Sequence, residues 1–177
     1  MTSEANSCAA SYKPIASRRE FVTAVTVAAT AGTIAADTAQ AQAPNLRFSN
    51  PPGMTKPAAY SHVVEVSGPH RVVYLAGQTG IDANGNVAQG FRAQTVQVME
   101  NIKTALASVG GDFGHIVKLT SYLTDIEANG GVFREVRASY FPNKAALPAS
   151  TLLQISRLAN SAYLLEVEAI AILPPRA

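Results

Sequence analysis

The chain has one cysteine, few charges and no long apolar run. The cysteine is Cys8, and it lies in an N-terminal stretch that reads as a removable leader. The domain left behind would carry no thiol. That excludes a disulfide framework, a cysteine nucleophile and a Cys-ligated zinc site. Charged residues make up only 15% of the chain against 47% hydrophobic residues, which is too apolar for a disordered protein. The three histidines, His62, His70 and His115, have no ligand spacing such as H-x-H or H-E-x-x-H, so no metal is expected. A G-x-S-x-G elbow and a Walker sequence are both missing, which argues against triad hydrolase and nucleotide-phosphate chemistry. No run of Lys and Arg occurs. The formal net charge is +2. Loss of Lys13, Arg18 and Arg19 with Glu4, Glu20 and Asp37 would leave it unchanged, so nucleic-acid binding has no footprint.

Residues 1–43 read differently from the rest. Arg18 and Arg19 precede a mildly apolar stretch, Phe21 to Ala36, and small residues close it at Ala39-Gln40-Ala41-Gln42-Ala43. A charged region, an apolar region and an A-x-A site make a secretory signal. The paired arginines give it the look of a twin-arginine leader. The apolar stretch is broken by Thr23, Thr26, Thr30, Gly32 and Thr33 and is shorter than the ~20 residues of a membrane span, so no stable anchor is expected. Cleavage after Ala41 and a periplasmic or secreted location are the expectation. Residues 44–57, rich in Pro, Asn and Gly, then form an extended lead-in, and 58–177 form one domain. A domain of about 130 residues buries roughly two-thirds of its unfolded surface, enough for a core without staples.

Within that domain the pattern predicts two strands, Ser61–Val66 and Arg71–Ala76, joined as a hairpin by Ser67-Gly68-Pro69-His70. Gly77 to Gly80 ends the second strand, and Asp82-Ala83-Asn84-Gly85-Asn86 is a turn. From Gln89 to Val109 the period becomes helical, with Phe91, Thr95, Val98, Ile102, Leu106 and Val109 on one face, and Gly110-Gly111 stops it. A strand from Ile116 to Thr124, a loop from Asp125, and a helix from Gly131 to Phe141 follow. Strands from Ser150 to Leu158 and from Ala162 to Leu173 complete a ββαβαββ order. This is an α/β (α+β) class with a mixed sheet and both helices on one face. The other face is expected to carry Val72, Tyr74, Leu152, Leu164 and Val167 with no cover from within the chain, which marks an interface between copies.

Four stretches carry a resemblance. Tyr60-Ser61, Val72-Val73-Tyr74-Leu75-Ala76-Gly77-Gln78, Ile116 through Asp125, and Glu166-Val167-Glu168-Ala169-Ile170-Ala171 resemble the RidA (YjgF-like) family from about Lys56 to Leu173. The resemblance implies a chorismate-mutase-like homotrimer whose sheets line a central barrel, with small-molecule clefts between subunits. It implies cofactor-free hydrolysis of reactive enamines and imines such as 2-aminoacrylate. In deaminases of this family an arginine in a Pro-Ala-Arg-Ser sequence holds the substrate carboxylate, and a glutamate near the end orients water. This sequence reads Pro148-Ala149-Ser150-Thr151. Ser150 therefore stands at the arginine position, where a hydroxyl cannot replace a bidentate clamp. An asparagine often found on the second helix aligns with Arg134. Tyr60, Gly77 and Glu166 survive.

The candidate catalytic residues are Glu166, directing water, and Gly77, offering a backbone donor to developing negative charge. The candidate substrate-binding residues are Tyr60, Ser150, Arg134 and Tyr122. Each has a plainer alternative. Glu166 and its neighbour Glu168 could pair with Lys118 or Arg157. Arg134 could be a solvated arginine pairing with Glu135 or Asp125, and the glycines could simply form a turn. A catalyst of this kind and a non-catalytic metabolite-binding trimer both fit the sequence.

Overall fold

Residues 43–176 are described by the computed structural model; the expected leader, apart from Ala43, lies outside them. Six strands and two helices follow in the order β1 (Asn45–Ser49), β2 (Val63–Ser67), β3 (Arg71–Thr79), α1 (Phe91–Ser108), β4 (Ile116–Leu123), α2 (Ile126–Tyr140), β5 (Ala149–Gln154) and β6 (Leu165–Leu173). The result is a mixed α+β fold, as the pattern predicts. The four-stranded sheet has the order β3-β6-β4-β5. Central β6 is antiparallel to both neighbours, and β4 and β5 run parallel across the α2 connection. Among the described residues no helix is long and apolar enough to cross a membrane.

The hairpin expected from β2 and β3 is replaced by a different pairing. β2 pairs with β1, inside the stretch read as an extended lead-in, and the two form a separate small sheet. Cross-strand chemistry explains the choice. Leu46 faces Val66 and Phe48 faces Val64, while Arg47 faces Glu65 and forms an ion pair with it. Pro69, in the turn before β3, has no N–H to give a ladder.

α1 follows its sequence pattern closely. Val98, Met99, Ile102 and Leu106 are fully buried, each contributing roughly 1.5–3 kcal/mol on transfer from water. The Thr95 hydroxyl, also buried, donates to the Phe91 carbonyl at 2.8 Å. The helix ends where glycine allows it. Gly110 takes φ +80°, and the Gly111 and Gly110 amides donate to Leu106 and Ala107 carbonyls, closing the last turn.

α2 starts about one turn earlier than expected. Asp125, read as the start of a loop, is its N-cap and accepts from the Ala128 amide at 2.9 Å. A cap of this kind is worth about 1 kcal/mol, comparable to the cost of one helical glycine, so Gly130 and Gly131 are carried inside the helix. At its other end the Tyr140 hydroxyl donates to the Glu100 carboxylate on α1 at 2.8 Å. Burial first, then that carboxylate, pushes its pKa from 10.0 up to about 12. The stabilisation Tyr140 supplies is complete below pH 10 and is lost as pH rises through about 12. In spectrophotometric titration, Tyr140→Phe is expected to lose the phenolate step near pH 12 and keep the earlier ones.

The side chains of Leu75, Leu119, Leu123, Leu165, Val167, Ala169, Ala171 and Leu173 join the helices in one core. Three residues expected on the open face belong here instead: Val167 is fully buried, and Leu152 and Leu164 pack against the core. Alternation along β6 places Val167 opposite in direction to Glu166 and Glu168. The open face does carry Val72, Tyr74 and Leu153, and Tyr74 is 77% exposed. Around it Tyr74, Ala76, Lys118, Thr120, Glu168 and Ile170 line a concavity of about 430 Å³.

Candidate functional site

Glu166 and Gly77 are built into the same spot by an irregularity in β3. The strand was expected to run from Arg71 to Ala76 but continues to Thr79. Leu75 pairs with Ala169 and Gln78 with Val167, so Ala76 and Gly77 together oppose Glu168 alone. Such a bulge takes residues out of the ladder and re-aims what surrounds them. Glu166 sits in register between Thr79 on β3 and Tyr122 on β4. Its carboxylate lies over Gly77 so closely that a Cβ there would stand 1.8 Å from Oε1. Gly77 is therefore a close-approach glycine.

The plainer readings of these carboxylates find no support in the geometry. Among the described residues neither Glu166 nor Glu168 forms an ion pair. Lys118 donates instead to the Thr151 hydroxyl, and Arg157 is exposed. Tyr122 donates to Glu168 Oε1 at a long 3.4 Å. Burial, then the Glu168 and Glu166 charges, holds the Tyr122 phenol above its ordinary pKa, which keeps it a donor. Glu166, Gly77 and Tyr122 thus form one cluster on the open side of the sheet.

Tyr60, Ser150 and Arg134 form a second cluster on the α2 side. They share the wall of a cavity of about 340 Å³ with Ala59, Phe133, Arg137 and Leu152. Two bonds hold the segment that carries Tyr60. The Ser61 amide donates to the Pro148 carbonyl at 3.2 Å, and Arg137 Nη1 donates to the Ala59 carbonyl at 2.7 Å. Tyr60 meets the His62 ring edge-on at 5.4 Å between centroids. Ser150 pairs with Leu119 on β4 and so points away from Thr151 and the open face. Arg134 is exposed and bonds neither Glu135, which pairs with Arg92 at 2.7 Å, nor Asp125, which caps the helix.

Sequence reasoning missed Arg137. It is only 5% exposed, and its guanidinium carbon lies 4.9 Å from the centre of the Phe141 ring. Burial lowers its pKa to about 10. The signal was available: Arg137 stands four residues after Phe133 and one after Val136, on the buried stripe of α2.

The family model described as Endoribonuclease L-PSP matches residues 53–173. The chain belongs to this family. Over 126 residues it is 33% identical to the human 2-iminobutanoate/2-iminopropanoate deaminase, covering 70% of this chain and 85% of that protein. Its structure resembles YyfB of Yersinia pestis, a Rid-family protein of unknown function. That match has a TM-score of 0.65 and 32% identity, over 72% of this chain and 98% of that one. RidA from the Antarctic bacterium Psychrobacter sp. PAMC 21119 matches with a TM-score of 0.54 and 30% identity, over 70% and 92% of the two chains. The resemblance read from the four stretches is thus a family membership, and the family includes proteins named as imine deaminases.

Proposed function

We propose that this Rid-family chain is a cofactor-free hydrolase of the deaminase type, acting on a reactive enamine, imine or related small C–N metabolite. The observation that carries the reading is the Glu166 carboxylate, held over Gly77 at the β3 bulge with no ion-pair partner among the described residues. A carboxylate so placed can orient and deprotonate water, and a backbone amide freed by a bulge can meet developing negative charge. The two clusters lie on opposite faces of the sheet. In the proposed homotrimer the open faces pack on one another, covering Val72, Tyr74 and Leu153, and the cleft between subunits joins the Glu166 cluster of one copy to the Tyr60–Ser150 cavity of the next. Ser150 in place of arginine shifts the substrate away from the usual 2-imino acids. The same replacement favours, as a second reading, a metabolite-binding trimer without catalysis. Export through the leader remains part of the proposal, and N-terminal sequencing starting after Ala41 is its expected result.

The test is 2-aminoacrylate hydrolysis by the purified protein, with the intermediate generated in place by a dehydratase. Wild type is expected to be slow and Ser150→Arg at least about tenfold faster, the gain of one charged hydrogen-bonding pair. Glu166→Gln should abolish whatever turnover is seen. Inactivity of wild type and Ser150→Arg alike moves the binding-protein reading ahead.

A further inference from the structure

Asparagine stands directly before glycine twice in this chain, at Asn84-Gly85 and at Asn129-Gly130. The pair matters chemically because glycine has no Cβ to shield its backbone nitrogen from the side-chain carbonyl one residue back. The fold puts the two copies in opposite settings. Asn129 and Gly130 lie inside α2, where Gly130 is buried and its amide belongs to the helical ladder. Asn84 and Gly85 stand in the turn after β3, and both are exposed. A Cβ placed on Gly85 would meet nothing within 4 Å, so that side of its amide is open.

The turn is held by short-range bonds of its own. The Asn84 and Asn86 amides donate to Asp82 Oδ1 at 2.9 and 2.8 Å, and the Gly85 amide donates to the Asp82 carbonyl at 3.1 Å. Among the described residues this last bond is the one restraint on the Gly85 nitrogen, and residues 83–86 around it are all exposed. Exposed turn bonds open at low free energy, whereas a buried helical amide opens only with its helix. Asn86 shares the turn but precedes Val87, whose β-branched side chain crowds the nitrogen that would attack.

We propose that Asn84 is a site of spontaneous covalent modification, converted through a succinimide into a mixture of aspartate and isoaspartate. The Gly85 nitrogen gives up its proton and bonds to Asn84 Cγ. The Cγ–Nδ2 bond breaks, and ammonia leaves with that proton. One water then opens the ring. Opening at the Cγ–N bond leaves aspartate. Opening at the main-chain carbonyl leaves isoaspartate, with one extra methylene in the chain. Either product puts a second carboxylate in the turn that already holds Asp82. The change stays local. Ile81 pairs with Val87 at the base of the turn, and Asn101 Nδ2 on α1 donates to the Thr79 and Ile81 carbonyls at 3.2 and 2.9 Å. β3 and the Glu166 cluster are therefore held from outside the turn, and the inference is independent of the proposed function.

The experiment ages the full protein in mildly alkaline buffer made with heavy-oxygen water, then digests it with trypsin in ordinary water. Each ring opening leaves one heavy oxygen in the new carboxylate, which fragmentation in the mass spectrometer assigns to a residue. An isoaspartyl methyltransferase reports the isomer. Peptide 72–92 carries Asn84 and Asn86, and peptide 119–134 carries Asn129. Label should enter at residue 84 at least about tenfold faster than at residue 86 or 129, a ratio that a small difference in local opening supplies. The rate should rise with pH, because the attacking nitrogen must lose its proton. Asn84→Gln, whose longer arm closes a ring far more slowly, should leave peptide 72–92 unlabelled. The proposal is overturned by an unlabelled residue 84 in the folded protein; label appearing there only in urea would mean that the bonds to Asp82 protect it. Equal rates at residues 84 and 129 overturn it too, since the fold would then select nothing. Label persisting in the Asn84→Gln peptide assigns the chemistry to Asn86 and likewise overturns it.

Discussion

Gly77→Ala is expected to abolish the hydrolysis proposed for the Glu166 cluster while leaving the fold intact. An added Cβ would stand 1.8 Å from Glu166 Oε1, 2.6 Å from Cδ and 2.9 Å from Cγ. No Cβ tolerates such distances, so the whole carboxylate arm must swing away. The atoms that clash all belong to one long side chain at the open side of the sheet, and none is backbone. Relief is therefore cheap for the fold and ruinous for the geometry. A displacement of about 1 Å costs on the order of 10²-fold in rate, and this one is larger. Stability should stay within about 1 kcal/mol of wild type, because Gly77 has no positive φ and alanine narrows the unfolded ensemble. Turnover and unfolding temperature measured on the same preparation check both halves. Full activity in Gly77→Ala would remove Glu166 from the mechanism.

Gly80→Ala is expected to do the opposite. Its added Cβ would meet Gln94 Cβ and Cγ at 2.5 Å and the Gln94 Cα at 2.8 Å. The last of these is helix backbone, so α1 itself must move. Gln94 is also a buried clamp. Its amide donates to the Ala162 carbonyl at 2.8 Å and accepts from the Leu164 amide at 2.9 Å. Those two bonds fix the loop that leads into β6 and therefore the start of the strand carrying Glu166. Overpacking alone costs about 1–3 kcal/mol, and orphaning the two backbone groups adds about 1 kcal/mol each. The unfolding temperature should fall by roughly 10 °C or more. A Gly80→Ala protein as stable as wild type would mean that α1 and β3 are not packed as described. The two substitutions lie three residues apart, Gly77 within β3 and Gly80 just past its end, and separate site from scaffold.

The open face carries the Glu166 cluster together with exposed apolar side chains. Tyr74, at 77% exposure, stands beside Val72 and Ile170 on the open face, a patch that the proposed homotrimer would cover. Packing of that face would bury the Tyr122–Glu168 contact as well. The charges around Tyr122 would then act in a drier setting and hold its phenol still further above the ordinary range.

How much was legible in the sequence differs from element to element. α1, its Gly110 stop and the Asp82–Asn86 turn depend on residues close in the chain, and the pattern carries them whole. The turn is a case in point: Asp82 accepts from the Asn84 and Asn86 amides at 2.9 and 2.8 Å, all within five residues. Alternation in β4 likewise separates Leu119 from Lys118, whereas in β6 it sets Val167 apart from Glu168 without saying that Val167 is the one facing the core. The family resemblance needed no structure, because it rests on residue identities. It also singled out Glu166 and Gly77 without showing that they touch.

Tertiary structure decided the rest, wherever the answer depended on a partner distant in the chain. Which strand β2 joins was settled by Leu46, Arg47 and Phe48, in a stretch whose composition reads only as extended. The start of α2 was settled by the capping bond that Asp125 accepts from the Ala128 amide, together with packing of the helix on the core. Leu152 and Leu164 turned inward because α1 and α2 offered them a core, and periodicity names a face without saying what covers it. Arg137 is the sharpest case. Its place on the Phe133–Val136 stripe is the one local mark that sets it apart from Arg134, three residues earlier. Only the fold puts one against the Phe141 ring and the Ala59 carbonyl and leaves the other in water. The sequence by itself determined the element types and the family, because both are written in nearby residues. The pairing, the buried faces and the two clusters were decided by contacts that exist only once the chain has folded.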